Sequence, residues 1–428
     1  MSNSDKVLTL VTGWNLKSVL NDDICDAARK IGWEAQTVTE IDRKDMAENK
    51  LENYFSKYVL WRRSLLNASD YENNRAWCWL NRHCDATMNT HVVGLNTIPV
   101  DKYFQHGVFS LDARLKDYVL SMYMVDSRED IGKLLLARKI SFPFVMKDRF
   151  GTAGRDIVLF LNSAEVSAYE GKWRNMAVEP YVEADCDWRV FVIGGVAIGI
   201  MRKTGNPDDP RDFRAKSGGY HKVNEDNQKV RDQLIRIASD VASAMHLEYA
   251  GVDVIQDRNT GRYYLMEVNL AAGWMNGFSQ ITGADVALAM AKWFEARRDL
   301  KYLTVAEVVQ KYLKEHLGCV TTATQQKYRE IMSGKGVKTG NVRGDIRIDD
   351  FVKEKDLAGR LRWLYDRAVL CRGELTSDEW RILNNIGKVV LKESESHVSW
   401  AGNYIGADML EDGVINTAYY LAIKEALK

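Results

Sequence analysis

The chain has no excess charge of either sign, with 59 basic residues balancing 59 acidic ones across 428 positions. That excludes a global field drawing it to nucleic acid or to an anionic membrane. Long apolar runs are missing as well: no stretch reaches the ~18 continuous apolar residues of a membrane-spanning helix. Neither nucleic acid nor membrane is therefore indicated as a partner. Cysteines are few and scattered, six in all at 25, 78, 84, 186, 319 and 371. They lack the paired spacing of a disulfide framework, which points to a reducing compartment and a cytoplasmic protein. The apolar core of the opening MSNSDKVLTLVTG is too short for a signal peptide. Only five prolines occur, the last of them Pro210. Internal repeats and low-complexity tracts are also absent.

What is present reads as an α/β protein of ordinary globular composition, 46% hydrophobic and 28% charged. Its length suits two to four domains of about 100–200 residues. KVLTLVTG (6–13), EAQTVTEID (34–42) and KYVLWRRSL (57–65) predict strands that alternate with helices over 16–31 and 67–84, and VVGLNTIP (92–99) closes this unit. The pattern is that of a small parallel, Rossmann-like layer. A helix then follows Asp101, with a short strand at 122–125 and a second helix over 128–139. PFVMKDRFGTAGRDIVLFL (143–161) reads as strand, glycine loop, strand. Further strands are predicted at 176–183, 187–193, 195–202 and 249–269, with a helix over 226–246. From about 283 the pattern is helical to the end. The expected domains are 1–100, 101–300 (lobes 101–182 and 183–300) and an all-helical 301–428.

GVDVIQDRNTGRYYLMEVN (251–269) has a turn-rich centre between two β-rich arms. If the hairpin folds about residue 260, Asp253 lies opposite Glu267, and Asn269 shares the face of Glu267 because strand side chains alternate. Two facing carboxylates repel unless a cation lies between them or one is protonated. The oxygen set Asp253, Glu267 and Asn269 suits Mg²⁺, with Mn²⁺ as a substitute, and Mg²⁺ commonly also takes substrate phosphates. Phosphate-binding features are present. Lys147 ends the strand before RFGTAGRD, where Gly151, Thr152 and Gly154 let backbone amides approach phosphate oxygens. In AVEPYVEADCDWRVFVIGG (177–195) the connection between two strands can offer backbone groups to adenine and Asp187 to ribose hydroxyls. The loop at 201–222 concentrates Arg202, Lys203, Arg211, Arg214, Lys216 and Lys222, a cluster able to bind a developing anion beside a metal. Each of these features, taken singly, also fits an ordinary turn, strand connection or solvated loop.

In order along the chain, PVDKYFQ (99–105), PFVMKDRFGTAGRDIVL (143–159), VEPYVEADCDWRVFVIGG (178–195), DFRAKSGG (212–219) and GVDVIQDRNTGRYYLMEVNLAAG (251–273) resemble the ATP-grasp superfamily. The likeness is nearest its branch of glutathione synthetase and the RimK-like ligase that adds glutamate to a ribosomal protein, and it covers about 100–285. It implies an ATP-grasp fold preceded by a small α/β domain. It further implies that Lys102 and Lys147 meet the nucleotide phosphates, that Glu179, Pro180, Tyr181 and Val182 form the adenine hinge, and that Asp187 accepts ribose. Asp253, Glu267 and Asn269 would hold Mg²⁺, as the hairpin argument also suggests. Arg202 and Arg214 would sit by the transferred phosphoryl group and the acyl substrate. Three features depart from the pattern. Arg155 and Asp156 follow the glycine loop, Lys216 stands where relatives carry Asn, and Ala272 replaces a proline after the metal strand, which predicts a looser turn.

The resemblance implies an ATP-dependent carboxylate–amine ligase. A carboxylate is activated to an acyl phosphate and then attacked by an amine, giving an amide or peptide bond, ADP and phosphate. Both substrates could be small molecules or peptides, and a homo-oligomer is compatible. The alternatives are an ATP-grasp kinase acting on a hydroxyl and a non-catalytic ATP-binding regulator. No general base is assigned for the amine, His221 being the available imidazole. SGKGVKTGN (333–341) lacks the spacing of a phosphate loop, and CWLNRHC (78–84) lacks that of a zinc site. The tail carries Trp363, Trp380 and Trp400 as expected core residues and is a candidate for choosing the substrate partner.

Overall fold

The structure is a computed structural model. It describes residues 6–12, 19–48, 50–62, 72–73, 76, 79–80, 83–89, 101–151, 157–204, 220–222, 228–245, 247–273 and 277–300. These residues cluster into two compact units, the first containing the described residues up to 89 together with 287–300, the second 101–193 and 197–286. The expected helices beyond 300 and the closing segment at 92–99 lie outside the described residues.

In the first unit, β1 (Val7–Val11), β2 (Glu34–Val38), β3 (Tyr58–Trp61) and β4 (Ala86–Met88) form a sheet in the order β2-β1-β3-β4 with every neighbour parallel. Helices α1 (Val19–Lys30) and α2 (Arg43–Glu48) make the connections between strands. The central strands carry apolar runs because parallel strands are covered on both faces. Leu8, Leu10, Val59 and Leu60 are at most 1% exposed. β4 has no counterpart among the predicted strands, since three residues are too short to display a period.

The second unit begins with α3 (Lys102–Leu111). Asp101 caps this helix by accepting a hydrogen bond from the Tyr103 amide at 2.9 Å. β5 (Tyr123–Val125), α4 (Arg128–Leu136), β6 (Phe144–Asp148), β7 (Ile157–Phe160), α5 (Ser163–Ala168) and β8 (Met176–Pro180) follow. Their strands form a sheet in the order β5-β8-β6-β7, antiparallel throughout. A second sheet comprises β9 (Asp187–Ile193), β10 (Val196–Lys203), β11 (Tyr220–Lys222), β12 (Tyr249–Gln256) and β13 (Tyr263–Asn269), in the order β11-β10-β9-β12-β13. Helix α6 (Gln228–Ala244) packs on β9 and β12. It presents Leu234, Ile237, Ala238, Val241 and Ala242 at helical spacing, all at most 1% exposed. Burying each of its larger aliphatic side chains contributes about 1.5–3 kcal/mol. α7 (Phe278–Thr282) completes this unit, and α8 (Val286–Leu300) supplies buried Trp293 and Phe294 to the first.

The turn after β13 is not loose. Ala272 is 3% exposed and its carbonyl accepts the Tyr249 hydroxyl. A Cβ added at Gly251 would stand 2.5 Å from the Ala272 Cβ, so β12 and this turn are in van der Waals contact through glycine. Alanine in place of proline therefore leaves the turn held by packing. Gly251→Ala is expected to cost about 1–3 kcal/mol of stability by overpacking, and A272G added to it should recover most of the loss, both read by urea unfolding.

Candidate active site

β12 and β13 carry the carboxylates to one place. Their register pairs Gln256 with Tyr263 and Val254 with Leu265, then shifts so that Asp253 faces Glu267 and Gly251 faces Asn269. The shift is a β-bulge that leaves Met266 as the extra residue on β13. Without it Asp253 would face Met266. With it, two acidic side chains and the Asn269 amide share one face.

That face continues across the sheet. Asp253 pairs in register with Arg189 of β9, two residues beyond Asp187 on the same side of that strand. Arg189 donates to both Asp253 oxygens, from Nε at 2.8 Å and from Nη2 at 2.5 Å. Lys203, the last residue of β10, lies 2.6 Å from Asp187 Oδ2 and 3.4 Å from Asp253 Oδ1. On the other side, Asn269 Nδ2 reaches Asp253 Oδ2 at 3.3 Å and Glu267 Oε1 at 3.1 Å. Lys102, at the start of α3, approaches Glu267 Oε2 at 3.4 Å and donates to the Gly151 carbonyl. Three carboxylates, Asp187, Asp253 and Glu267, thus meet three cations, Lys102, Arg189 and Lys203.

The electrostatics follow from burial and pairing. Burial pushes the Asp253 carboxyl up, but Arg189 and Lys203 outweigh it and hold it below the usual carboxylate range. For Asp187, burial and the nearby Asp253 charge outweigh Lys203, and its pKa is raised. Burial works against the Lys203 ammonium, yet Asp253 and Asp187 keep its pKa above the ordinary lysine value.

A second cluster lies on β6 and β8. Lys147 Nζ stands 2.7 Å from Glu179 Oε1, with both side chains at most 4% exposed. The hinge after β8 is tied back by the Tyr181 amide, which donates to the Pro143 carbonyl at 3.3 Å. A pocket lies against both clusters, lined by Lys102, His106, Phe109, Glu179, Leu265 and Met266 among others. Burial lowers the pKa of His106, and one of its ring nitrogens lies 2.7 Å from the Leu120 carbonyl oxygen.

Residues 110–294 match the family description of the RimK-like ATP-grasp domain. This stretch is a RimK-like ATP-grasp domain. Among curated relatives, a probable alpha-L-glutamate ligase 1 of Pseudoalteromonas atlantica is 28% identical over 232 residues, covering 49% of this chain and 74% of the relative. A probable alpha-L-glutamate ligase 2 of Hahella chejuensis is 29% identical over 154 residues, 35% of this chain and 48% of the relative. Among solved structures, the ATP-grasp ligase PsnB, in complex with a minimal precursor, Mg and ADP, aligns with a TM-score of 0.50 at 14% identity. That alignment covers 69% of this chain and 98% of PsnB.

Of the expected site residues, Lys102, which precedes the matched stretch, and Gly151, Asp187, Asp253, Glu267 and Asn269 within it belong to the first cluster by direct contact or shared partners. Lys147 and Glu179 form the second. Pro180 ends β8, and Tyr181 and Val182 follow it in the hinge. Among the described residues Arg202 does not reach the carboxylates: as the neighbour of Lys203 on β10 it faces the other way, where it bonds the Cys186 thiol. Thr152, Gly154, Arg214 and Lys216 lie outside the described residues, as do Arg155 and Asp156. The side chain of His221 is likewise outside them.

Arg189 was not among the expected site residues, and Lys203 was named only as one of six basic residues in 201–222. Strand alternation places Arg189 on the face of Asp187, but no pattern in the linear chain separates Lys203 from Arg202. Asp253, Glu267 and Asn269 fit a hard divalent cation. Both carboxylates converge on one side-chain amide, which presents oxygen instead of nitrogen by a half turn about its last bond. Among the described residues no three His, Cys, Asp or Glu side chains are grouped to hold a metal, so an amide-containing set is the arrangement to test.

Arg189→Met leaves Asp253 buried with Lys203 as its remaining basic partner and is expected to cost about 3–5 kcal/mol near neutral pH. Stability drawn from the depressed Asp253 pKa is present above its unfolded value of 3.8 and is lost as pH falls through the folded value. The gap between wild type and variant in urea unfolding should therefore narrow below about pH 4.

Proposed function

We propose that the chain is an ATP-dependent carboxylate–amine ligase that forms an amide or peptide bond through an acyl phosphate, with an amino acid such as glutamate as one substrate. The observation that carries this reading is the RimK-like ATP-grasp domain with its two lysines and its carboxylate–amide set. The names of the curated relatives favour glutamate. Cys25, Cys84 and Cys186 are not joined in disulfides, in keeping with a reducing, cytoplasmic setting. Among the described residues no helix is long and apolar enough to cross a membrane.

In the proposed reaction a carboxylate oxygen of the acid attacks the γ-phosphorus of ATP, and ADP leaves. The amine nitrogen then attacks the carbonyl carbon of the acyl phosphate, inorganic phosphate departs, and the amine gives up a proton. Mg²⁺ on Asp253, Glu267 and Asn269 would supply charge neutralisation at the phosphates.

The chain's own groups do the rest. Lys102 and Lys147 exchange their carboxylate partners for phosphate oxygens. The hinge from Glu179 to Val182 and the pocket wall at Leu265 and Met266 hold the base, and Asp187 accepts ribose hydroxyls. Arg189 and Lys203 place fixed positive charge beside the reacting carboxylate, where the oxyanion develops. Arg214 is assigned to the same acyl side on the strength of its motif, and Arg202 lines that end of the strand. The balance of three acids and three bases means that a free divalent cation meets carboxylates already paired, whereas metal and triphosphate together offer partners to both signs.

An ADP-release screen over glutamate, other amino acids, small peptides and polyamines, with mass spectrometry of products, tests this reading. Glu267→Gln should still bind ATP while ADP release falls about 100-fold, the equivalent of about 3 kcal/mol of transition-state stabilisation. Near-wild-type release by that variant, or a phosphorylated product with no amide, would refute the proposal.

A further inference from the structure

β13 is an edge strand, so one row of its backbone groups has no strand to pair with. At Val268 that vacancy is filled by a side chain. Gln105 Nε2 donates to the Val268 carbonyl at 2.9 Å, and Gln105 Oε1 accepts from the Val268 amide at 3.0 Å. The two bonds reproduce what a paired strand residue would make. Gln105 is 3% exposed, so neither bond competes freely with water.

Val268 separates Glu267 from Asn269 and lies two residues beyond the bulge at Met266. A bulge interrupts the ladder, and a one-residue slip would turn every side chain of the strand to the opposite face. Gln105 also sits one turn along α3 from Lys102, whose ammonium approaches Glu267. One helix face thus holds both the backbone between the candidate ligands and the side chain of one of them.

We infer that Gln105 is a positioning residue that locks the register of β13 at the bulge and so holds Glu267 and Asn269 opposite Asp253. The inference rests on the metal-ligand reading of those three residues, and the experiment separates the two. Mn²⁺ binding to the full chain in the presence of ADP is followed by electron paramagnetic resonance, with hydrogen exchange at Val268 as a local measure of the lock. Gln105→Met keeps length and apolar packing but loses both bonds. It is expected to weaken Mn²⁺ binding about 10–100-fold and to speed Val268 exchange, while metal-free ADP affinity falls far less, even though Gln105 also lines the pocket assigned to the base. Gln105→Glu keeps the acceptor for the Val268 amide and should fall between wild type and Gln105→Met. Unaltered Mn²⁺ affinity in Gln105→Met despite rapid Val268 exchange would overturn the inference. So would an equal loss of metal-free ADP affinity, which marks a general packing role. Glu267→Gln is the separate control: if it binds Mn²⁺ like wild type, the ligand assignment itself fails, whatever Gln105 does.

Discussion

The Arg189–Asp253 pair is the interaction on which the rest of the site depends. It is a two-point contact between adjacent antiparallel strands, with Asp253 5% exposed. A buried carboxylate is costly by itself, and the guanidinium answers both of its oxygens at once. Because the pair lies at the centre of the five-stranded sheet, it orients the groups on either side. Lys203 and Asp187 extend the alternation of charge toward β10, and Glu267 and Asn269 extend it toward the edge. Pairing of this kind is a weak source of stability compared with apolar packing. Its value lies in the geometry it imposes on side chains that must later meet a ligand.

The same charge balance connects structure to function. Each acid of the cluster has a basic partner within the protein, so the cluster carries no large unpaired charge. On the proposed reading, a nucleotide with its metal would redistribute these partnerships instead of adding a new charge to a buried place. The Lys147–Glu179 pair follows the same rule on a neighbouring sheet, where a buried lysine stands against a buried carboxylate.

Much of this was legible in the linear chain. Most strands of the three sheets show as apolar or alternating runs, β4 and β11 excepted, and the predicted β9 at 187–193 matches the observed element. The hairpin symmetry argument placed Asp253 opposite Glu267, as found. Yet the turn is centred half a residue earlier than that argument assumed, and the bulge at Met266 restores the pairing. No local residue pattern announces the bulge. Arg202 illustrates a different limit: of the six basic residues in 201–222 the family resemblance singled out Arg202, whereas the strand turns it toward Cys186 and brings Lys203 to the carboxylates. β4 was too short to be read at all.

What the sequence by itself determined is the set of chemical groups and their local spacing: two lysines within short motifs, acid and amide two apart on a strand, and no continuous apolar run of the length a spanning helix needs. Those properties are local, set by side-chain period and composition. Tertiary structure decided which groups meet. Gln105 reaches Val268 across 163 positions, Lys102 reaches Glu267 across a similarly long stretch, and Arg189 reaches Asp253 across 64. Contacts of that range depend on sheet order, on the bulge and on the placement of α3. They arise from the joint packing of many residues, and no short segment encodes them.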